Sequence, residues 1–293
     1  MVRGSMRFAA AGVAFLVAAA VPSSAVAAAE DGAFVGVMSG EGYRPAVGAP
    51  RMIAHRGASR YAPENTLAAV DAAHARKLLW VENDVQRTKD GVLVVMHDAT
   101  LARTTNAEKL FPRRAPWRVA DFTAAEIARL DAGGWFGKRF AGERVPTLTA
   151  FLRRMDHNRQ RLLLELKTPL RYPGMEAQVV RELRRTGWLD RAHVRNRLVV
   201  QSFCVRCVET VHRLSPQVRT GILGAPAVDR LARYARFADQ INPPLSKVSS
   251  RWIAAVHRLR GPHGRPLEVY AWDVGNRAGA RLALGRGIEG LIV

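Results

Sequence analysis

From residue 51 onward, short apolar segments alternate with helical patterns, and this alternation limits the possible folds more than any other feature of the sequence. Short, continuously apolar segments are typical of strands buried on both faces, as parallel strands are. Eight such strands, with helices between most of them, predict an α/β fold, a (β/α)8 TIM barrel. The predicted strands are RMIA, LLWVENDV, RLLLELK, RLVVQSF, RTGILG, ADQIN, LEVYAWDV and GLIV.

A doubly wound open sheet is the alternative to the barrel, and two observations disfavour it. None of the predicted strands is followed by the Gly-rich fingerprint of a dinucleotide-binding sheet. Polar residues cluster instead at the ends of several strands, which is where a barrel assembles its active site.

Residues 100–147 interrupt the alternation and predict an insertion after the second strand, near the mouth of the barrel. Its large apolar side chains favour one of two roles, a lid over the head group of a substrate or a loop that transiently touches a lipid surface. These side chains are Leu110, Phe111, Trp117, Trp135, Phe136 and Phe140.

The N-terminal region predicts export and divides the chain into three parts. In residues 1–29, Arg3 and Arg7 precede an apolar stretch that ends in small residues, as in a cleavable secretory signal peptide. The apolar stretch is shorter than the ~20 residues that a bilayer-spanning helix needs, which disfavours an uncleaved anchor. We therefore expect a secreted or extracytoplasmic protein, with residues 30–50 as a linker or N-terminal strap and residues 51–293 as the barrel.

The formal net charge of +20 is compatible with nucleic acid, an anionic lipid surface or a phosphate-bearing substrate as partner. The basic residues are scattered and form no stripe along the sequence, so we expect no nucleic-acid partner, and no obligate protein partner is indicated. Cys204 and Cys207 are the only cysteines, too few for a zinc site unless histidines join them. A local disulfide and two reduced, packed thiols are both compatible with the sequence.

Three carboxylates at the ends of neighbouring strands predict a metal site. Glu82 and Asp84 are two residues apart on the second strand and so point to the same face, and Glu165 ends the next barrel strand, followed by Lys167. We expect no protein cation between the carboxylates, so that a divalent cation would have to offset their charge. Oxygen ligands of this kind suit Ca²⁺ or Mg²⁺ better than zinc.

Histidine and arginine side chains are predicted to face the same region. His55 and Arg56 end the first strand, and a turn at residues 89–91 followed by a returning strand brings His97 beside the carboxylates. Gln201 and Trp272 lie at two further strand ends. The remaining six histidines are not at predicted strand ends, and we expect them to be surface or packing residues.

The combined motif resembles that of the glycerophosphodiester phosphodiesterase family, and the similarity extends from Arg51 to Val293. The residues that carry it are His55-Arg56-Gly57, Pro63-Glu64-Asn65-Thr66, Glu82-x-Asp84-Val85, Thr88-x-Asp90-Gly91, His97-Asp98 and Leu101-x-Arg103-Thr104-Thr105.

The resemblance implies hydrolysis of glycerophosphodiesters, the deacylated phospholipids, to sn-glycerol 3-phosphate and an alcohol. It implies that the glycerol 2-hydroxyl attacks first, giving a cyclic phosphate that water then opens. The implied roles are acid–base catalysis for His55 and His97, binding of one Ca²⁺ or Mg²⁺ ion for Glu82, Asp84 and Glu165, and substrate binding for Arg56, Lys167, Gln201 and Trp272.

Glu64 has two interpretations, a first-turn helix acid without further function or a residue that binds the metal or supports its ligands. Two alternative functions also remain, a phospholipase C- or D-like enzyme acting on lysolipids or lipid head groups, and a non-catalytic anion-binding barrel. The second is disfavoured because every catalytic position of the motif is filled. Family members usually close with a further helix after the last strand, and we expect the strap, with its AFVGVM segment, to pack in that place.

Overall fold

The structure, a computed structural model, describes residues 50–293. The predicted signal peptide lies outside the described residues, and so does the predicted strap except for Pro50. Within the described range, nine strands form one sheet, in the order β1-β9-β8-β7-β6-β5-β4-β2-β3. The strands are β1 (Arg51–Ala54), β2 (Trp80–Arg87), β3 (Leu93–Val95), β4 (Arg161–Leu166), β5 (Leu198–Ser202), β6 (Arg219–Leu223), β7 (Gln240–Asn242), β8 (Glu268–Ala271) and β9 (Gly290–Ile292).

All of these strands except β3 are parallel to their neighbours and close into a barrel, because β1 pairs with β9 on one side and with β2 on the other. The closing contact sets Met52 opposite Leu291. The predicted (β/α)8 barrel is confirmed, and GLIV is its eighth strand. The ninth strand, β3, is antiparallel to β2 and sets Val95 opposite Val85, as the turn at residues 89–91 predicted.

Helices follow most barrel strands and cover the outside of the barrel. Several begin at the residue types that best accept backbone N–H groups, such as Thr147 at the start of α4 and Asp190 at the start of α6. The α-helices of the described residues are α1 (Leu67–Ala75), α2 (Ala107–Leu110), α3 (Ala124–Ile127), α4 (Leu148–His157), α5 (Met175–Arg185), α6 (Arg191–Asn196), α7 (Val205–Leu214), α8 (Val228–Tyr234), α9 (Ser250–His257) and α10 (Arg277–Gly285).

Two apolar cores hold the barrel together. One lies between the strands and the surrounding helices and includes Val81, Leu164 and Val200 on the outward faces of three strands. The other fills the barrel interior below its mouth, and its buried members are Ile53, Trp80, Leu163, Val199, Tyr270 and Ile292. Because the lower interior is filled, polar side chains of the strands are accommodated at the open end.

The insertion after the second barrel strand is present and has a buried core of its own, in which Phe122 and Leu130 are fully buried. Phe111 and Trp117 pack partly against this core. Trp135 is 44% exposed and stacks edge to face on Phe136. Most aromatic side chains of the insertion thus have contacts within it. Among the apolar side chains named for the lid or the lipid-contacting loop, Trp135 is the one that presents a large apolar surface to solvent.

Cys204 and Cys207 form a disulfide at the start of α7, which resolves the choice that the sequence left open. Among residues 50–293, no helix has the length and apolar character needed to cross a membrane.

Candidate active site

Three buried carboxylates converge at the mouth of the barrel, on two neighbouring strands. Glu82 and Asp84 alternate with outward-facing residues of β2, so both face the barrel interior. Asp84 pairs in register with Glu165 of β4, which brings the third carboxylate beside the other two. One oxygen of each carboxylate lies within 4.8 Å of the others. The structure thus brings together the three acids that the sequence predicted.

The expectation that no protein cation lies among these carboxylates is wrong. Nζ of Lys167 lies 2.9 Å from Oε1 of Glu165 and 3.6 Å from Oδ1 of Asp84. Burial disfavours the charge on Lys167, but Asp84 and Glu165 outweigh it and raise the pKa of the ammonium group. Nε of Arg56 lies 3.7 Å from Oδ2 of Asp84, and its backbone N–H donates to Glu82 at 2.8 Å. Lys167 reaches the acids because it lies two residues after Glu165, on the same side of the chain.

These two cations leave the acidic cluster able to bind a divalent cation. Burial, Asp84 and Glu165 raise the pKa of Glu82 well above its usual value, and burial together with Asp84 raises the pKa of Glu165 to about 7. Oδ1 of Asp84 is buried and has no hydrogen-bond partner. A hard cation bound by carboxylate oxygens would favour the ionised forms and give Oδ1 of Asp84 a ligand bond in place of the missing hydrogen bond. The residues present therefore fit a divalent cation.

His55 and Arg56 reach the pocket through a tight turn after β1. Arg56 and Gly57 both adopt left-handed backbone conformations, with φ values of 55° and 78°. Glycine is required at the second position, because a Cβ there would lie 2.6 Å from the Cβ of Ala69. Nε2 of His55 lies 4.0 Å from Oε2 of Glu82. Burial and the Arg56 guanidinium lower the pKa of His55 to about 4, so its imidazole is neutral at neutral pH.

His97 enters the same pocket from the loop after β3 and is held by a series of charged contacts. Its Nδ1 lies 2.7 Å from Oδ1 of Asp98. Arg103 donates to Asp98 at 2.6 and 3.0 Å and to Glu64 through two bonds of 2.8 Å. Glu64 also accepts a bond of 3.0 Å from Arg56. The hydrogen bonds from Arg103 hold the pKa of Asp98 at about 2, so the carboxylate that faces His97 stays ionised.

The structure corrects one interpretation of Glu64 and favours the other. Helix α1 begins at Leu67 and is capped by Thr66, so Glu64 precedes the helix and is not a first-turn acid. Its carboxylate oxygens accept from Arg56 and Arg103. Glu64 is therefore not a member of the acidic cluster. It supports the cluster indirectly, because it holds Arg56, whose guanidinium group lies next to Asp84.

Gln201 on β5 and Trp272 after β8 complete the predicted lining of the pocket. Gln201 pairs in register with Glu165, and its Oε1 accepts a hydrogen bond of 2.7 Å from the side-chain amide of Asn242. The indole N–H of Trp272 donates to the Asn242 carbonyl at 2.9 Å. The predicted site residues other than Asp84 line a cavity of about 200 Å³. Asp84 is buried beside this cavity. The residues that line it are His55, Arg56, Glu82, His97, Glu165, Lys167, Gln201 and Trp272.

Comparison with known proteins adds an independent observation to this geometry. The sequence profile of the Glycerophosphoryl diester phosphodiesterase family matches residues 55–293. The chain belongs to this family. A glycerophosphodiester phosphodiesterase of Bacillus subtilis is 32% identical over 256 residues, covering 82% of this chain and 81% of the relative. The Bacillus subtilis protein YhdW is 36% identical over 246 residues, covering 82% of this chain and 93% of the relative.

A solved structure agrees with the family assignment. An Oleispira antarctica phosphodiesterase, determined in complex with the product sn-glycerol-3-phosphate, superposes with a TM-score of 0.66 at 25% identity, covering 83% of this chain and 92% of the other. Membership of the glycerophosphoryl diester phosphodiesterase family identifies the chain as an enzyme, a phosphoric diester hydrolase.

Three polar residues of the sequence motif, to which the sequence assigned no role, support the site. The side-chain N–H of Asn65 donates to Oδ2 of Asp84 at 2.8 Å, and its side-chain oxygen Oδ1 accepts from the Asp84 backbone N–H at 3.3 Å. Its φ of 60° is a conformation that asparagine tolerates. Asp98 and Arg103 likewise support His97. The signal for all three was their position inside the motif, directly beside or shortly after a predicted site residue.

The other histidines do not line the pocket. His193 is buried and bridges Asp190 and Asp156, which stabilises the packing of α6 on α4. His257 lies 3.1 Å from Glu289. The six histidines predicted to be surface or packing residues are His74, His157, His193, His212, His257 and His263.

Proposed function

We propose that this protein is a secreted, metal-dependent hydrolase of glycerophosphodiesters that uses His55 and His97 as its base and acid. One observation carries the proposal: two histidines and two cations face one pocket above three buried carboxylates. The products are sn-glycerol 3-phosphate and the free alcohol. Phosphodiester cleavage needs this combination because charge must be offset at the phosphate while protons move on both sides of it.

His55 is assigned as the first base because burial and Arg56 keep its imidazole neutral. It takes the proton of the glycerol 2-hydroxyl, whose oxygen then forms a bond to phosphorus. The bond from phosphorus to the alcohol oxygen breaks, and His97 gives that oxygen its proton. In the second step His97 takes a proton from water, the water oxygen opens the cyclic phosphate, and His55 returns its proton to the 2-oxygen.

Arg56 and Lys167 bind the phosphate oxygens and offset the negative charge that grows in the transition state. Glu82, Asp84 and Glu165 would hold one Ca²⁺ or Mg²⁺ ion, which supplies further positive charge next to the phosphate. Gln201 and Trp272, which line the same pocket, contact the substrate.

Two features support export. The N-terminal sequence has the features of a signal peptide. The disulfide between Cys204 and Cys207 suits an oxidising compartment. Expression of the full chain in a secreting bacterium, followed by N-terminal sequencing, should give a mature protein that begins near residue 30. Full-length protein retained in the cytoplasm would contradict export.

The activity is tested by incubating the mature protein with glycerophosphocholine, glycerophosphoethanolamine and glycerophosphoinositol, with added Ca²⁺ or Mg²⁺ or with excess EDTA. We expect sn-glycerol 3-phosphate from at least one substrate with metal and none with EDTA. Full activity in EDTA would contradict metal dependence. Salt-sensitive binding of these anions without cleavage would favour the anion-binding barrel.

One observation favours lysolipids as a second class of substrate. A groove of about 410 Å³ adjoins Lys167 and is lined by the exposed apolar side chains of Leu170 and Phe203. An acyl chain could lie there while the phosphate occupies the pocket. Adding lysophosphatidylcholine to the substrate panel separates the two classes, because a Leu170→Ser variant should lose activity on the lysolipid only.

A further inference from the structure

A single carboxylate lies at the rim of a pocket otherwise suited to an anion. Asp273 directly follows Trp272 after β8 and lines the cavity that contains Arg56 and Lys167. It is exposed, and its backbone φ is 57°, a left-handed conformation that aspartate tolerates better than most residues. Among the side chains that the structure describes, its carboxylate has no hydrogen-bond partner and forms no ion pair.

A negative charge at this place opposes the binding of a phosphate alone, because like charges repel across a small cavity. The same charge favours a substrate that carries a positive group beyond its phosphate. The side of the pocket on which Asp273 lies therefore has a charge preference opposite to that of Arg56 and Lys167.

Two aromatic residues line the same cavity as Asp273. Phe203 is 56% exposed, and its ring contacts Trp272 edge to face, with centroids 6.1 Å apart and an interplanar angle of 83°. The hydrogen bond from Trp272 to the Asn242 carbonyl fixes the indole in place. Aromatic faces combined with a carboxylate are a recognition environment for ammonium groups, including quaternary ones.

We propose that Phe203, Trp272 and Asp273 form a subsite for an ammonium group on the alcohol half of the substrate. The protein then selects glycerophosphodiesters of amino alcohols over those of neutral alcohols. The inference rests on the proposed function, since the alcohol concerned is the one released by the same phosphodiester cleavage.

A pair of isosteric substrates tests the subsite. Glycerophosphocholine and glycerophospho-3,3-dimethylbutanol differ only in a trimethylammonium group that is replaced by a tert-butyl group of the same shape. We expect kcat/KM of the wild-type protein, measured with saturating metal, to favour the choline substrate by about tenfold. Asp273→Asn should reduce that preference at least about threefold, since it removes the charge and keeps the shape. Phe203→Leu should reduce it as well, since it removes the aromatic face and keeps apolar bulk.

Asp229→Asn is the matched control, because Asp229 is an exposed aspartate that does not line the pocket. The ratio of kcat/KM for the choline substrate to kcat/KM for the neutral substrate should be the same in this variant as in the wild type. Thermal melting of each variant shows that it is folded. Equal kcat/KM for the two substrates, or a ratio unchanged by Asp273→Asn, overturns the subsite while the proposed function stands. Hydrolysis of neither substrate by the wild type overturns the proposed function and the subsite with it.

Discussion

Nδ1 of His97 lies 2.7 Å from Oδ1 of Asp98, and the Asp98 carboxylate is in turn held by Arg103. Because an ionised carboxylate can only accept, the shared proton belongs to Nδ1 of His97 and its Nε2 is left for the substrate. This contact orients the imidazole without touching the substrate.

Replacing Asp98 by Asn should therefore lower kcat by about 10², the usual size of one acid–base contribution, and change KM little. Steady-state kinetics on glycerophosphocholine would measure both constants. Asp121→Asn, a change to an exposed aspartate of the insertion, serves as control and should behave as the wild type. A variant of Asp98 that raises KM and leaves kcat unchanged would contradict the orienting role.

Asn65 offers a second test, since its side chain contacts Asp84 through two hydrogen bonds. Asn65→Gly removes the amide and suits the φ of 60° better than any other residue. We expect metal affinity to fall about 10- to 100-fold, as is common when a partner of a metal ligand is lost. Titration of the metal by calorimetry measures this directly, and an unchanged affinity would contradict the role of Asn65 in supporting Asp84 as a metal ligand.

Binding of the cation should release protons at neutral pH. In the metal-free protein, burial and Asp84 raise the pKa of Glu165 to about 7, and burial and the neighbouring acids raise the pKa of Glu82 well above its usual value. Both hold protons that a bound cation must displace, so affinity should rise between about pH 6 and about pH 8. Calorimetry in two buffers of different ionisation enthalpy gives the number of protons released, which should fall in Glu165→Gln. Metal binding with no release of protons near pH 7 would contradict this.

The pH dependence of kcat/KM reports the state of His55 in the free enzyme. Burial and Arg56 lower the pKa of His55 to about 4, and a bound cation would lower it further. A base must be unprotonated, so activity is lost as the pH falls through this range and is retained above it. With the cation kept saturating at every pH, the acid limb should lie well below the ordinary histidine value of about 6.5. Circular dichroism over the same range separates this limb from acid unfolding, and a limb near pH 6.5 in a folded protein would argue against His55 as the base.

Local sequence pattern was sufficient for the strands and for most of the site. The period-2 spacing of Glu82 and Asp84, and the buried LLL run before Glu165, predicted both the strand positions and the shared face of the acids. His97 could be placed because the turn at residues 89–91 fixes the direction in which the chain returns.

Contacts between distant loops were not predictable in the same way. Arg103 and Glu64 are 39 residues apart, and their pairing depends on how the insertion folds back over the barrel mouth. Barrel closure through β1 and β9 is also non-local, since no pattern within either strand specifies its partner. The position of Lys167 among the carboxylates could have been anticipated from its spacing to Glu165, but its reach depends on the side-chain conformation.

Hydrolysis of glycerophosphocholine followed by ³¹P NMR tests the proposed chemistry most directly. With a divalent cation, the wild-type protein should convert the diester signal into that of sn-glycerol 3-phosphate, while His55→Ala and His97→Ala should each be slower by at least about 10² with their melting temperatures preserved. His74→Ala, outside the pocket, should match the wild type. Near-normal rates in either pocket variant would contradict acid–base catalysis by this pair of histidines, and phosphocholine as the product would contradict breakage of the bond between phosphorus and the alcohol oxygen.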